Sequence, residues 1–313
     1  MNQNVYRIAF TFLFVMAFQL HSTFGQKKVK LQLNLKKGDV FKTVESINQD
    51  IAQTIMGMDQ NIQQNFGMDY AYEVLEVDPN KNYRIKVTYE RVRYEQKGNP
   101  MGDVAYDSGN PSQELNDQVK SYAALVGQGF QLTVTPTGKI KEVRGADELL
   151  TNMVDSYDNL EETQKEQLKQ TLSKQFGNEA IRENMAFVFD IYPEEKVSVG
   201  DEWSKTLSLT SALGLKLTNT WKLVALNGGV AEVQVKSVAE NAGGSGMEVP
   251  GVGKMNYNLS GTQEGMLSLD QKSGWTKGAE VKQDFSGDVE LEGAMSMTWP
   301  ITIKSVRKMH MAD

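Results

Sequence analysis

The sequence predicts a mostly β protein of the α+β class: two related antiparallel curved sheets, arranged as a half-barrel or sandwich, with a helical segment between them. Three observations predict it. Alternation of apolar and polar residues with period two dominates both ends of the chain, the period lengthens to three or four in the middle, and turns rich in Gly, Asn and Pro separate the alternating runs.

The chain opens on an export signal. Arg7 precedes an apolar run from Ile8 to Phe18, and the stretch Thr23, Phe24, Gly25 supplies small residues where a signal peptidase reads. The run is well short of the roughly 20 residues that span a bilayer. Residues 1–25 are therefore expected to be removed as a signal peptide, leaving a soluble periplasmic or secreted product that starts at Gln26 and has no transmembrane segment. The chain has no cysteine, so a lipoprotein anchor at the cleavage site and any disulfide are excluded. Burial of apolar surface must hold the fold.

The first β half is expected at 26–145. Val29, Leu31, Leu33 and Leu35 alternate with Lys28, Lys30, Gln32 and Asn34, the pattern of a half-buried strand. Tyr70 to Val77 and Tyr83 to Tyr94 form the next two strands, with Pro79 to Asn82 as their turn. Tyr83, Ile85, Val87 and Tyr89 share a face, and the apolar parity then shifts to Val92 and Tyr94, which predicts a bulge near Glu90 or Arg91. Leu132 to Pro136, a turn at Gly138 and a strand from Ile140 complete this half.

A helical connector is expected at 146–192. Leu149, Leu150, Met153, Val154 and Tyr157, then Leu160, Leu168, Leu172 and Phe176, recur at helical spacing, and Gly177 stops the run. Asn178 offers a cap to a third helix carrying Ile181, Met185 and Phe189, which Pro193 closes off.

The second β half, 193–313, holds a hairpin of Trp221 to Leu226 and Val230 to Val238 around Asn227, Gly228 and Gly229. Further strands are expected at 259–269, 275–285, 288–295 and 298–307. The two halves look like copies. Gly38-Asp39-Val40-Phe41 opens one and Gly200-Asp201-Glu202-Trp203 the other; Leu132 to Ile140 likewise parallels Leu267 to Thr276.

The runs Tyr192 to Trp203 and Val134 to Val143 resemble an uncharacterised family of exported bacterial proteins. The layout also loosely resembles the half-barrels of envelope lipid and lipoprotein carriers. The first resemblance implies an exported address and a β-rich fold, and brings no functional residues.

The chemistry available is restricted. Removal of Arg7 with the leader leaves 32 basic against 40 acidic residues, a net charge of −8 that opposes nucleic acid as a partner. Arg84, Lys86, Arg91 and Arg93 read as a solvated strand face. His21 leaves with the signal peptide and His310 lies at the tail, so a serine triad, papain-like catalysis and the usual zinc sites are not expected. Gly246 to Gly251 imitates a phosphate loop but has Val252 in place of lysine; Gly243 to Met247 fails as a nucleophile elbow; Asn241 to Gly253 reads as a long glycine-rich loop. Ser305 and Lys308 have the spacing of penicillin-binding enzymes but fall on a strand rather than opening a helix.

Carboxylates and methionines remain. Asp288, Glu290 and Glu292 share a strand face, about 7 Å apart in succession, and read as the wet side of an edge strand rather than a metal site. Asp103, Asp107 and Asn110 fall in a loop, and Asp78, Asn80 and Asn82 in a turn. The pairs Met56 with Met58, Met295 with Met297 and Met309 with Met311 read first as packing, second as the lining of a site for an apolar ligand, and third as copper ligands.

No catalytic residue, metal ligand or cofactor is assigned. The expected role is non-enzymatic binding or carriage of an apolar small molecule in the cell envelope. A carboxylate hydrolase of envelope glycans and a scaffold or adhesion module that binds another envelope protein are the alternatives.

Overall fold

The computed structural model describes residues 28–98, 102–110, 115, 119–209, 211, 214–243, 246–249, 253–293 and 296–312. The expected signal peptide and Met295 lie outside them. Six strands precede the helical segment: β1 (Val40–Ile55), β2 (Met58–Val77), β3 (Tyr83–Lys97), β4 (Val104–Asp107), β5 (Gly129–Val134) and β6 (Ile140–Arg144), with the short α1 (Lys120–Ala123) before β5. The helices are α2 (Ala146–Asp155), α3 (Glu162–Phe176) and α4 (Asn178–Phe189). Then follow β7 (Glu202–Leu209), β8 (Leu215–Asn227), β9 (Val230–Asn241), β10 (Met247–Val249), β11 (Gly253–Asp270), β12 (Thr276–Gly293) and β13 (Met297–Met311).

All strands join one curved, unclosed antiparallel sheet in the order β6-β5-β3-β2-β1-β13-β12-β11-β9-β8-β7, with β4 beside β3 and β10 beside β11. The mostly β architecture with helices between two β runs is as expected. The two runs are not separate layers, because β1 pairs with β13 from Thr43↔Met311 to Gln53↔Ile301 and makes them a single surface. Helices α2 and α4 bury Leu149, Leu150, Met153, Ile181, Met185 and Phe189 against that surface.

Local chemistry explains the elements. At the β2–β3 contact Asp69 faces Arg91 and Tyr70 faces Tyr89, so Glu90 is the bulged residue the parity shift predicted. Gly228 and Gly229, both with positive φ, turn β8 into β9. Gly177 is extended, with φ −73° and ψ 169°, and separates α3 from α4; Asn178 is the first residue of α4 rather than its cap.

Three further expectations are corrected. Residues 28–36 are not a strand of the sheet. Leu31, Leu33 and Leu35 are buried, but the backbone bonds to turns: Leu33 N–H to Pro136 O and Asn34 N–H to Ser273 O, both at 2.8 Å. Apolar alternation thus marks a strap held by buried leucines, each worth about 1.5–3 kcal/mol. Second, 275–285 and 288–295 are not two strands, since β12 runs unbroken through Gly287, where φ is +156°. Third, β12 lies between β11 and β13 and is not an edge strand.

The turns that open β1 and β7 share one hydrogen-bond pattern. Lys36 N–H and Ser198 N–H donate to the carboxylates of Asp39 and Asp201, at 2.7 and 2.8 Å. Gly38 N–H bonds Val74 O and Val74 N–H bonds Asp39 O; Gly200 N–H bonds Leu223 O and Leu223 N–H bonds Asp201 O.

Candidate functional site

Between α3–α4 and the sheet lies a cavity of about 350 Å³. Its floor comes from the central strands: Glu45 and Ile47 of β1, Phe66, Met68 and Tyr70 of β2, Tyr89 of β3 and Arg307 of β13. Phe176, Ala180, Ile181 and Met185 of the helices line it from the other side. The volume lies within the range of small-molecule sites, roughly 300–1,000 Å³. Aromatic rings pack along it, with Tyr70 and Tyr89 centroids 5.3 Å apart, Phe66 and Tyr94 4.7 Å apart and Tyr94 and Tyr122 5.2 Å apart.

Charged side chains also line the cavity: Lys174 of α3, and an ion pair on the strands. Arg307 Nε meets Glu45 Oε1, and the Glu45 side chain is only 8% exposed. The Phe187 ring lies 5.5 Å from the guanidinium carbon, a favourable cation–π arrangement. Burial raises the phenol pKa values of Tyr70, Tyr72 and Tyr89, and the Glu45 charge raises them further. Tyr122 is pushed up to about 12, mainly by burial. Burial works against the charge of Arg307, but Glu45 outweighs it and its pKa is raised. A second acid, Glu183 of α4, also lines the cavity and accepts the Ser211 N–H at 3.1 Å.

A smaller hollow of about 50 Å³ adjoins the same pair, lined by Glu45, Arg307, Phe187, Trp221, Thr276 and Gln283 among others. Trp221 Nε1 and Trp275 Nε1 are buried without a hydrogen-bond partner. Both indoles belong to the core, where Trp275 stacks on Phe41 at 4.2 Å.

A polar row crosses the inner face beside the cavity. Register places Asn219, Ser237, Gln263, Gln283, Ser305, Gln49, Gln64 and Gln96 side by side on β8, β9, β11, β12, β13, β1, β2 and β3. Hydrogen bonds run along much of it: Ser237 to Asn219 at 2.6 Å, Gln263 to Asn219 at 3.3 Å, Gln283 to Gln263 at 3.1 Å, Ser305 to Gln283 at 2.7 Å and Gln64 to Gln96 at 2.7 Å. Beyond it lies a second apolar cluster that includes Leu217, Leu259, Phe285, Val289, Trp299 and Ile301.

The residues singled out in the sequence lie mostly elsewhere. Asp288, Glu290 and Glu292 are exposed on the face of β12 opposite Val289 and Leu291, and among the described residues no group of three His, Asp or Glu side chains could hold a metal ion. Asp107 lies on β4 rather than in a loop, forms a fork with Arg91 at 2.7 and 2.9 Å, and has its pKa lowered to about 2 by that bond. Asp103 accepts Gly98 N–H, and Asp78 accepts both the N–H and the side-chain amide of Asn82. Arg84 and Arg93 pair with Glu76 and Asp69. Ser305 bonds Gln283 while Lys308 pairs with Glu280. His310 is exposed on β13, the last strand, paired in register with Val44 and Gly278. Met56 and Met58 are exposed at the β1–β2 turn, Met297 packs in the second cluster and Met309 lines the smaller hollow. Gly246 lies just before β10; Gly251 and Val252 fall outside the described residues.

Sequence reasoning missed Glu45, Glu183, Arg307 and Trp221. A usable signal exists for two of them. Glu45 shares strand parity with Phe41, Ile47 and Ile51, and Arg307 with Ile301, Ile303 and Met309, so each is a lone charge on an inward face and the two have opposite sign.

No helix among the described residues is long and apolar enough to cross a membrane. No curated protein matches the chain. Among solved structures, lipovitellin, in a study of its lipid–protein interactions, is similar at 9% identity over 90% of this chain and 26% of its own, with a TM-score of 0.45. The chain thus spans about a quarter of that protein. DynF, from the dynemicin biosynthesis pathway of Micromonospora chersina, is similar at 7% identity, covering 91% of this chain and 85% of its own, with a TM-score of 0.22. An outer-membrane channel from Pseudomonas putida F1 gives 8% identity, 90% and 97% coverage and a TM-score of 0.23. A family of unknown function matches residues 80–276, most of the described fold including every helix and the strands on either side of them. The chain belongs to that family, DUF6263.

Proposed function

We propose that this chain is an exported, non-enzymatic binding protein that holds an apolar small molecule between α3–α4 and the inner face of its sheet. The observation that carries this reading is the cavity of about 350 Å³, lined by Phe66, Met68, Tyr70, Tyr89, Phe176 and Met185. An interior of this kind is costly to leave hollow, since lining atoms without neighbours forfeit dispersion contacts. The leader-like segment Arg7 to Gly25 supports the envelope as its place of work. The shared hydrogen bonds at Asp39 and Asp201, together with the matching strand order of β1-β2-β3-β5-β6 and β7-β8-β9-β11-β12, support duplication as the origin of the sheet.

The test is binding of a neutral fluorescent probe, N-phenyl-1-naphthylamine, to delipidated protein, with Ala180→Phe as a cavity-filling variant. Ala180 is buried and lines the cavity. Saturable binding at one site, weakened about tenfold or more in Ala180→Phe with an unchanged or raised Tm, supports the reading. Absence of saturable binding, or equal binding by a folded Ala180→Phe, contradicts it.

A further inference from the structure

Resting on that reading, we propose that the site selects an uncharged amphiphile, one whose head group presents hydrogen-bond acceptors such as ester oxygens to Arg307 and Trp221, over the matching carboxylate. The large cavity and the hollow of about 50 Å³ share Glu45 and Arg307, so the ion pair stands where the two volumes meet, in a hollow whose walls are otherwise mainly apolar. The small hollow has room for one or two waters or a head group of a few atoms.

Its donors outnumber its acceptors. Trp221 is 5% exposed and its Nε1 has no partner. A guanidinium carries five N–H donors and a carboxylate accepts two in a fork. Glu45 is the acceptor that Arg307 finds among the described residues, so donors remain on it. The amide oxygens nearby are engaged, Gln263 Oε1 by Gln283 and Gln283 Oε1 by Ser305. A head group that only accepts therefore meets groups that lack a partner.

Charge decides which acceptor. Lys174 lines the large cavity, but the small hollow has only Glu45 and Arg307 as charged lining among the described residues, and these neutralise each other; a carboxylate seated there would add a buried anion with no counter-ion, whereas an ester brings acceptor oxygens without charge. Replacing Glu45 by Gln removes the resident anion and leaves the guanidinium to pair with the ligand.

The experiment titrates delipidated protein with methyl decanoate and with decanoate at about pH 7.5, where the free acid is ionised, following tryptophan fluorescence and calorimetry. Wild type should bind the ester about tenfold or more tighter than the acid. Glu45→Gln should reverse that order. Trp221→Phe removes an N–H that bonds nothing in the protein together with part of the buried indole, so the urea midpoint should fall, while ester affinity should fall about fivefold relative to that of N-phenyl-1-naphthylamine, which brings no oxygen acceptor, the worth of one ordinary hydrogen bond. The Trp221→Phe arm decides the matter if Glu45→Gln does not fold. Wild type binding decanoate as tightly as the ester, or Trp221→Phe leaving the ratio of ester to N-phenyl-1-naphthylamine affinity as in wild type, overturns the head-group assignment and leaves the carrier reading standing. Binding of neither compound by wild type overturns both.

Discussion

Glu45 of β1 and Arg307 of β13 form an ion pair across the seam where the first and last strands of the sheet meet. Glu45 is nearly fully buried and Arg307 is its ionic partner, so the two halves are strongly interdependent. Arg307→Met should destabilise the fold by about 3–5 kcal/mol, because it leaves Glu45 buried and uncompensated, whereas the double variant Glu45→Met/Arg307→Met should lie within about 2 kcal/mol of wild type. Urea unfolding of the two single variants and the double variant measures this coupling.

Alkaline pH should unfold the protein through its tyrosines. Tyr70, Tyr72, Tyr89, Tyr122 and Tyr192 all have pKa values raised by burial. A raised folded-state pKa favours the neutral phenol, so this stabilisation is complete below the unfolded value of about 10 and is lost as pH climbs toward the folded values. At about pH 11, native protein should show only a small part of the phenolate absorbance that appears when urea is added, and its urea midpoint should be lower than at neutral pH. Full phenolate absorbance in the native state would contradict the buried ring cluster.

Two glycines should tolerate no side chain. A Cβ on Gly138 would fall 1.6 Å from Phe189 O, and one on Gly274 2.0 Å from Gln32 O, both at positive φ. Gly57 also has positive φ, but a Cβ there meets nothing within 4 Å. Alanine should cost about 1–2 kcal/mol at Gly57, from conformation alone, and about 3 kcal/mol or more at the other two, where backbone must also move. Thermal unfolding of the three variants checks the order.

The polar row should matter more than its composition suggests. Gln263→Leu leaves Asn219 and Gln283 without a shared partner in a buried setting and should cost about 1–3 kcal/mol. Glu264→Gln, one residue along on the exposed face, should stay within about 0.5 kcal/mol.

Much of this fold is legible in the sequence where one face is apolar and the other polar. The bulge at Glu90, the turn at Gly228 and Gly229 and the three helices all follow from period and turn chemistry. Most of β1 and β2 escapes such reading, because Asn48, Gln49, Asp50, Gln53, Gln60, Asn61, Gln63, Gln64 and Asn65 place polar residues on both faces. The alternation of Leu31, Leu33 and Leu35 misleads for the opposite reason: an extended strap and a strand bury side chains with the same period. The site is less legible still. Glu45, Arg307 and Trp221 come from three strands, and their proximity is a product of the β1–β13 seam and sheet curvature rather than of spacing along the chain.

The central claim is that the cavity under α3 and α4 is a ligand site, and native mass spectrometry of protein purified from its producing cells without detergent tests it most directly. The account predicts a bound species of small-molecule mass on wild type that is lost on denaturation and absent from Ala180→Phe. Wild type flying at the bare polypeptide mass, or an adduct equally abundant on folded Ala180→Phe, would contradict it.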